Sequence, residues 1–261
     1  MAVLELFQLA QKTANVVWLI SQDKTVAIIP CLDEARGIAA LVQEVRRYVS
    51  QVMVVDDGSR DATASAALAA GARVLRHKTN RGKGAAINTG LAAAFDSGFR
   101  HAVILDGDGQ HQPKSISELL RRAAATGAPL VIGDRMRDVH AMPLVRRLVN
   151  RWMSRQISQL AGRAMPDTQC GFRVIGLQAW RELTFEAEHF EVESEMTLGF
   201  ARRGHRIEFV PVKTVRGNRP SHIRPLRDAW RWLKWWRTAA RGSACVHSGA
   251  AAGENPLPIC R

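Results

Sequence analysis

Apolar and polar positions follow two rhythms along this chain. From Lys24 onward, short runs of aliphatic and β-branched residues are separated by longer stretches whose apolar positions recur every three or four residues. That is the pattern of strands alternating with amphipathic helices. The runs at 25–30 (TVAIIP), 52–55, 72–76, 101–105 and 130–133 read as five strands. Between them the helical period is carried by 34–49, an alanine-rich stretch ending near residue 70, 83–96 and 113–125, the last with Pro113 in its first turn. Two more strands are expected at 172–175 and 207–210, and two more helices at 144–160 and 192–203. The alternation predicts an α/β fold on a mostly parallel sheet with crossover helices.

Polar residues gather where the strands end. Asp33-Glu34 follows the first strand, Asp56-Asp57 the second, Asn80 to Gly84 the third, Asp106 to Gln110 the fourth and Asp134-Arg135 the fifth. Ligands of open α/β sheets bind at the carboxyl ends of strands, so this series marks the candidate site. The sharpest stretch is DGDGQ at 106–110. Two carboxylates one residue apart, with glycines that let the backbone turn, suit Mg2+ or Mn2+, which take oxygen ligands and keep positions open for phosphates. A plain turn before the next helix would use the same residue types.

Asn80-Arg81-Gly82-Lys83-Gly84 precedes a helix, where the helix N-terminus and Lys83 favour an anionic group. The stretch is neither a dinucleotide fingerprint nor a P-loop, and an ordinary loop-to-helix transition is the alternative. Asp56 and Asp57 are adjacent like charges that suit hydrogen bonds from a base or ribose, or a helix cap and turn with Ser59 and Asp61. Arg135, Arg146, Arg147, Arg173, Arg216 and Arg219 are candidates for bidentate phosphate contact; ordinary surface positions are the alternative.

Composition narrows the class. A chain of 261 residues with 46% hydrophobic and 23% charged residues is no wholesale disordered protein. No apolar run is long enough for a spanning helix, and the first twenty residues lack the layout of a signal peptide. Cys31, Cys170, Cys245 and Cys260 form no CxxC and fit a reducing compartment better than a disulfide scaffold or zinc site. The net charge is +13, and residues 202–241 hold twelve Lys/Arg against two acids, with four of the seven tryptophans. On a helix starting at Leu226, one arc collects Leu226, Ala229, Trp230, Leu233, Trp236 and Ala240. The opposite arc collects Arg227, Arg231, Lys234 and Arg241, with Trp235 at the border. Such a helix either lies in an anionic membrane interface or packs its apolar face on the domain. No binding motif accompanies the charge, so no nucleic acid is expected. The expected division is an extension at 1–23, one domain at 24–225, the basic helix at 226–241 and a disordered tail at 242–261.

Read in order, IPCLDE (29–34), VDDGSRD (55–61), NRGKG (80–84), DGDGQH (106–111), GDR (133–135) and DTQCGFR (167–173) resemble the family 2 glycosyltransferases. The most similar branch is the dolichol-phosphate mannose synthases and related polyprenyl-phosphate sugar transferases. The resemblance spans 25–225. It implies a GT-A fold, a nucleotide-sugar donor, Mg2+ or Mn2+, and transfer with inversion at the anomeric carbon. The implied acceptor is a lipid, a polyprenyl phosphate first and a hydroxyl-bearing lipid or small molecule second.

By motif, the resemblance places Pro30, Leu32, Glu34, Val55, Asp57, Lys83, Leu105 and Gly107 at the nucleotide sugar. Asp106, Asp108 and Gln110 would bind the metal and donor diphosphate, and Arg135 would contact phosphate. Arg146, Arg173, Arg216 and His222 would serve the acceptor phosphate, with Ser221-His222 at the family's Ser-Lys position. Two departures are Asp33, where the family has Asn, and His222, where Lys is common and a neutral imidazole grips phosphate less well. An ionised phosphate needs no strong base, whereas a hydroxyl acceptor does, with Asp167, Glu193 and Glu195 as candidates. The lipid would be reached peripherally at the cytoplasmic face of a membrane, through the 226–241 helix or a membrane protein partner. A non-catalytic basic membrane-binding protein is the distant alternative.

Overall fold

The computed structural model describes residues 24–137, 142–215 and 225–248, with side chains in the last stretch described for 228–241. Two compact units divide the chain, Met1–Pro220 and Ser221–Arg261. The first holds seven strands: β1 (Thr25–Cys31), β2 (Gln51–Asp56), β3 (Arg73–Arg76), β4 (His101–Ile104), β5 (Leu130–Asp134), β6 (Arg173–Gly176) and β7 (Ile207–Pro211). They form one sheet in the order β3-β2-β1-β4-β6-β5-β7. Every residue of β1 is buried, as a strand covered on both faces requires, and this is why it reads as an unbroken apolar run.

Helices α1 (Ala35–Val45), α2 (Thr63–Ala69), α3 (Lys83–Asp96), α4 (Ile116–Thr126), α5 (Leu144–Ala161), α6 (Leu177–Arg181) and α7 (Val192–Arg202) connect the strands. Pro113–Ser115 forms a 3-10 turn ahead of α4. Helix α1 buries Ile38, Leu41, Val42 and Val45, a single stripe at helical spacing. The connections β1-α1-β2 and β2-α2-β3 step in one direction along the sheet, and β3-α3-β4 steps back past β1. Right-handed crossovers therefore put α3 on the face opposite α1 and α2. The reversal between β1 and β4 opens a crevice at their carboxyl ends, where α/β sheets bind ligands.

One strand makes the sheet mostly rather than wholly parallel, in line with the expectation. β6 runs antiparallel to both β4 and β5, while β5 and β7 pair in parallel. Side-chain periodicity gives a strand's existence but not its direction, which depends on where the chain re-enters the sheet.

The second unit contains α8 (Pro225–Ser248), so the helix expected over 226–241 continues into the stretch expected as tail. Its sheltered arc also differs. Trp230 is exposed, whereas Trp232 is buried, with its ring centroid 6.3 Å from that of Trp235 and 6.4 Å from that of Trp236. Spacings of three and four residues bring those rings together on one side, so the sheltered arc includes Trp232, which the arc drawn from Leu226 leaves out. No described helix is long and apolar enough to cross a membrane. The extension at 1–23, residues 249–261, Arg216, Arg219, Ser221 and His222 lie outside the described residues.

Candidate active site

Beyond β4 the chain leaves the core at Leu105 and turns at Asp106, whose side chain is 25% exposed. Lys83, the first residue of α3, places its ammonium 2.6 Å from Asp106 Oδ1 and 2.6 Å from Glu193 Oε1 on α7. Three elements distant in sequence thus meet on one cation. The Lys83 ammonium also lies 5.7 Å from the centre of the Phe190 ring. His111 Nε2 stands 3.8 Å from Asp106 Oδ2, and its ring leans on Phe172 at 5.2 Å between centroids. Two glycines permit this closeness. A Cβ on Gly171 would stand 2.8–2.9 Å from the Asp106 carboxylate oxygens and 3.0 Å from Lys83 Nζ. A Cβ on Gly107 would stand 2.6 Å from Cys31 Sγ, so Gly107 keeps the ends of β4 and β1 in contact.

Burial and charge act in opposite directions here. Burial would raise Asp106, but Lys83 and then His111 hold its carboxyl down to about 2. Burial, then the negative charge of Asp106, raise Asp108 above the usual carboxylate range. Burial would lower Lys83, yet Asp106 and Glu193 keep its ammonium well above the ordinary value. Burial pushes His111 down to about 4, leaving it neutral at pH 7. The site is a locked ion-pair cluster with one less restrained carboxylate, Asp108, whose Oδ1 accepts the Gln110 N–H at 2.9 Å.

Arg135, after β5, donates from Nε and Nη2 to Asp167 at 2.8 and 2.9 Å, and its backbone N–H donates to the same carboxylate. The pairing leaves Nη1 as the arginine's route to a phosphate. It also corrects Asp167 as a base candidate: the residue is fully buried, and Arg135 holds its carboxyl low against the effect of burial. Glu195 is no better placed, since its two oxygens accept the backbone N–H groups of Glu186 and Ala187. Glu193 is different. One oxygen binds Lys83, and the other, Oε2, is buried without a hydrogen-bond partner among the described residues.

Arg173 is a second correction. It is fully buried, and its guanidinium donates to the carbonyls of Cys170, Glu193 and Thr168 and to Thr197 Oγ1 at 2.7–3.0 Å. It braces the 167–173 turn against α7 and has no face for an acceptor. Arg146, on the first turns of α5, is half-buried within the field of Arg135, Asp108, Asp106 and Asp167; burial and Arg135 push its guanidinium below the usual range. Of the two arginines assigned to acceptor phosphate among the described residues, it is the one whose charge interacts with Asp106 and Asp108.

On the β1–β2 side, Asp33 takes a left-handed conformation at φ 55° and exchanges hydrogen bonds with the turn after β2, its N–H to Ser59 Oγ and its Oδ1 from Arg60 N–H. Asx residues tolerate this conformation, so Asp33 keeps the turn that an Asn would make. Asp57 is committed internally: it accepts from the Arg81 and Gly82 N–H groups at 2.9 and 2.7 Å and lies 2.6 Å from His77 Nδ1, whose Nε2 meets Thr89 Oγ1. It shapes the 77–82 loop more than it offers itself to a nucleotide. Val55 and Leu105 are wholly enclosed in the core and Pro30 is buried in β1, so their side chains support the crevice from beneath. Leu32 is half-buried and Glu34 is buried with its N–H on Thr63 Oγ1. The N-terminus of α3 is also filled, because the Gly84 and Ala85 N–H groups both donate to the Glu188 carbonyl. What this end of α3 offers an anion is Lys83, not its amides.

Sequence reasoning assigned no role to His111, Phe190 or Gly171. His111 and Gly171 stand inside quoted motifs, which was the available signal; Phe190 carried none. Among the described residues no three His, Cys, Asp or Glu side chains converge into a metal cage. Asp106 and Asp108 nevertheless fit a hard divalent cation: two oxygen donors at a partly open strand end leave positions for diphosphate and water.

Comparison with known proteins gives this geometry a family. The sequence profile of glycosyl transferase family 2 matches residues 26–182. The undecaprenyl-phosphate mannosyltransferase of Micrococcus luteus is 30% identical over 205 residues, 74% of this chain and 84% of that protein. The UDP-N-acetylglucosamine–dolichyl-phosphate N-acetylglucosaminyltransferase of Methanococcus voltae is 27% identical over 211 residues, 72% and 84% of the two chains. A crystal structure of glucosyl-3-phosphoglycerate synthase from Mycobacterium tuberculosis, in complex with Mn2+, UDP and glucosyl-3-phosphoglycerate, superposes with a TM-score of 0.64. It is 21% identical, with 84% of this chain and 79% of that one covered, and it shares the GT-A fold. A mostly parallel GT-A sheet, the ordered strand-end motifs and the profile match agree: this chain belongs to glycosyl transferase family 2 and is a glycosyltransferase.

Proposed function

We propose that this enzyme moves a sugar from a nucleoside-diphosphate sugar to a polyprenyl phosphate, with inversion at the anomeric carbon, as a peripheral protein at the cytoplasmic face of a membrane. The observation that supports it is the meeting of Asp106 and Asp108 with Lys83, Arg135 and Arg146 at the β1–β4 switch point. Paired carboxylates beside cations suit a leaving group that is itself a charged diphosphate. The acceptor follows from the relatives, whose names specify undecaprenyl and dolichyl phosphates.

Held by Asp106 and Asp108 with Gln110 beside them, Mg2+ or Mn2+ would supply Lewis-acid neutralisation of the departing diphosphate. The chain's own residues do the rest. Lys83 fixes the Asp106 carboxylate and adds positive charge at the crevice floor. Asp167 sets the plane of Arg135 so that Nη1 presents one oriented donor to phosphate. Arg146, partly stripped of water, presents a second. A phosphate oxygen of the acceptor is already ionised at neutral pH, so it attacks the anomeric carbon from the face opposite the diphosphate without a general base. Arg216 and His222 stay with the acceptor phosphate on the strength of their motif positions alone. The test is transfer from a panel of nucleotide sugars to polyprenyl phosphate with and without Mg2+ or Mn2+. Asp106→Asn and Asp108→Asn should each lower transfer by about a hundredfold or more, and undiminished rates in both would overturn the assignment.

Glu193 supports a second reading. Its free buried oxygen is the one base candidate of the three with spare capacity, as a hydroxyl acceptor requires. Glycosylation of a polyprenol or other hydroxyl-bearing lipid, abolished in Glu193→Gln, would favour it; activity with polyprenyl phosphate alone would exclude it.

A further inference from the structure

The 182–191 connection from α6 to α7 has no strand or helix of its own, yet it is held on two sides. On one side it lies against the start of α3, where the Glu188 carbonyl accepts the Gly84 and Ala85 N–H groups at 2.7 and 3.2 Å. The fit leaves no room. A Cβ on Gly84 would stand 2.1 Å from the Ala187 carbonyl oxygen, and one on Gly82, at φ 103°, 2.3 Å from that of Glu188. On the other side stands Glu195, in the first turn of α7. Its Oε1 accepts the Glu186 N–H at 3.1 Å and its Oε2 the Ala187 N–H at 2.9 Å. The connection is thus caught between one carboxylate and the helix end that carries Lys83. Near its end, Phe190 puts its ring 5.7 Å from the Lys83 ammonium. The carboxylate is kept there against opposition. Burial raises Glu195 above the usual carboxylate range, the two N–H groups hold it down, and the charges of Glu186 and Glu191 push it up again. An ionised acceptor makes hydrogen bonds about twice as strong as a neutral one, and that strength is what the crowded charge supplies.

We propose that Glu195 is a positioning residue for sugar transfer: by holding two consecutive backbone N–H groups, it presses the connection onto α3 and keeps Lys83, beside the Phe190 ring, in place against Asp106. The line of contact runs from Glu195 through 186–188 to the backbone of Gly84 and Ala85, next to Lys83. Once the connection is released, the start of α3 is free to shift, and Lys83 loses its set distances to Asp106 and Glu193. A displaced cation beside a leaving diphosphate weakens both donor binding and transfer. Arg135 and Arg146 come from other elements, after β5 and on α5, so the hold on the acceptor phosphate does not depend on this connection. The inference rests on the transferase reading for its substrate; the grip of Glu195 on the connection does not.

Glu195→Gln in the full chain tests it, since it keeps the size and one acceptor but turns an NH2 group toward the other N–H. The KM for the nucleotide sugar should rise by about tenfold. The KM for polyprenyl phosphate and the thermal midpoint should stay near the parent's values. A role in stability alone would lower the active fraction, so kcat and the midpoint would fall with both KM values unchanged. Gly84→Ala pushes the connection off α3 from the opposite side and should give the same split between the two substrates. Both changes release one segment, so their effects in the double variant should fall short of the product of the single effects. Hydrogen exchange, read without substrate, should quicken at 84–85 and 186–187 in Glu195→Gln. Three results would overturn the proposal: a lower kcat and midpoint at unchanged KM values, single effects that multiply in the double variant, or parental exchange at 84–85. Exchange needs no donor sugar, so quickened exchange in a chain that transfers nothing would contradict the transferase reading and leave the grip of Glu195 standing.

Discussion

Gly171 shows how little room the site has. Its missing Cβ is space already taken by the Asp106 carboxylate and the Lys83 ammonium. Gly171→Ala should therefore push Asp106 out of place and lower the transfer rate by about a hundredfold, as small misplacements of reacting groups do. A thermal midpoint near that of the parent would show that the loss is local. Arg173 makes the opposite case. Its charge is fully buried and spent on carbonyls, so Arg173→Leu should destabilise the fold by about 3 kcal/mol or more in urea titration. Motif order made Asp106, Asp108, Lys83 and Arg135 legible from sequence, because strand-end acids and bases stand out against apolar runs. Nothing in residue type or spacing distinguishes Arg173, which is consumed inside the protein, from Arg146, whose charge interacts with Asp108 and Asp106. That difference is one of burial, settled by side chains from α7 and the 167–173 turn.

Among the elements, α5 carries the most. Its position along the chain was legible from helical periodicity, but not that its apolar arc points outward, because amphipathicity says that two faces differ and not which one the domain covers. It is attached through buried Ile157 and through polar contacts, Ser158 with Met165 and Ser154 with the N–H and hydroxyl of Thr168. Ser154→Ala should leave that buried N–H without its acceptor and reduce stability by about 1–3 kcal/mol, measured as a fall in urea midpoint. The strands tell a similar story. All seven expected strands exist, yet the antiparallel course of β6 was hidden, since alternation of side chains is the same in both directions. The filled N-terminus of α3 was hidden as well, because the Glu188 carbonyl comes from a segment roughly a hundred residues away whose approach no local pattern announces.

At the scale of the whole molecule, charge is divided by place. The carboxylates and their partner cations sit at the ends of the central strands, while much of the net positive charge lies between residues 202 and 241. Stability should also respond to pH away from the site. Burial, then neighbouring Arg100, hold His101 at the start of β4 below the ordinary histidine value. The unfolded chain takes up a proton near pH 6.5 that the folded chain resists, so stability is full above that pH and falls as pH drops through it. The urea midpoint should be lower at about pH 5.5 than at about pH 7.5, and His101→Gln should shrink the difference. A difference of equal size in the variant would assign the effect to other groups.

The proposed reaction is a sugar leaving a nucleoside diphosphate for a lipid phosphate beside Asp106 and Asp108. The most direct measurement is transfer of label from a radiolabelled nucleotide sugar into a polyprenyl-phosphate product, with Mg2+ or Mn2+ present, for the parent chain and for Asp108→Asn. The parent should give a mild-acid-labile phosphate-linked lipid product, and the variant should lose about a hundredfold or more of that activity. Label that appears only in a hydroxyl-linked product, or a variant as active as the parent, would contradict it.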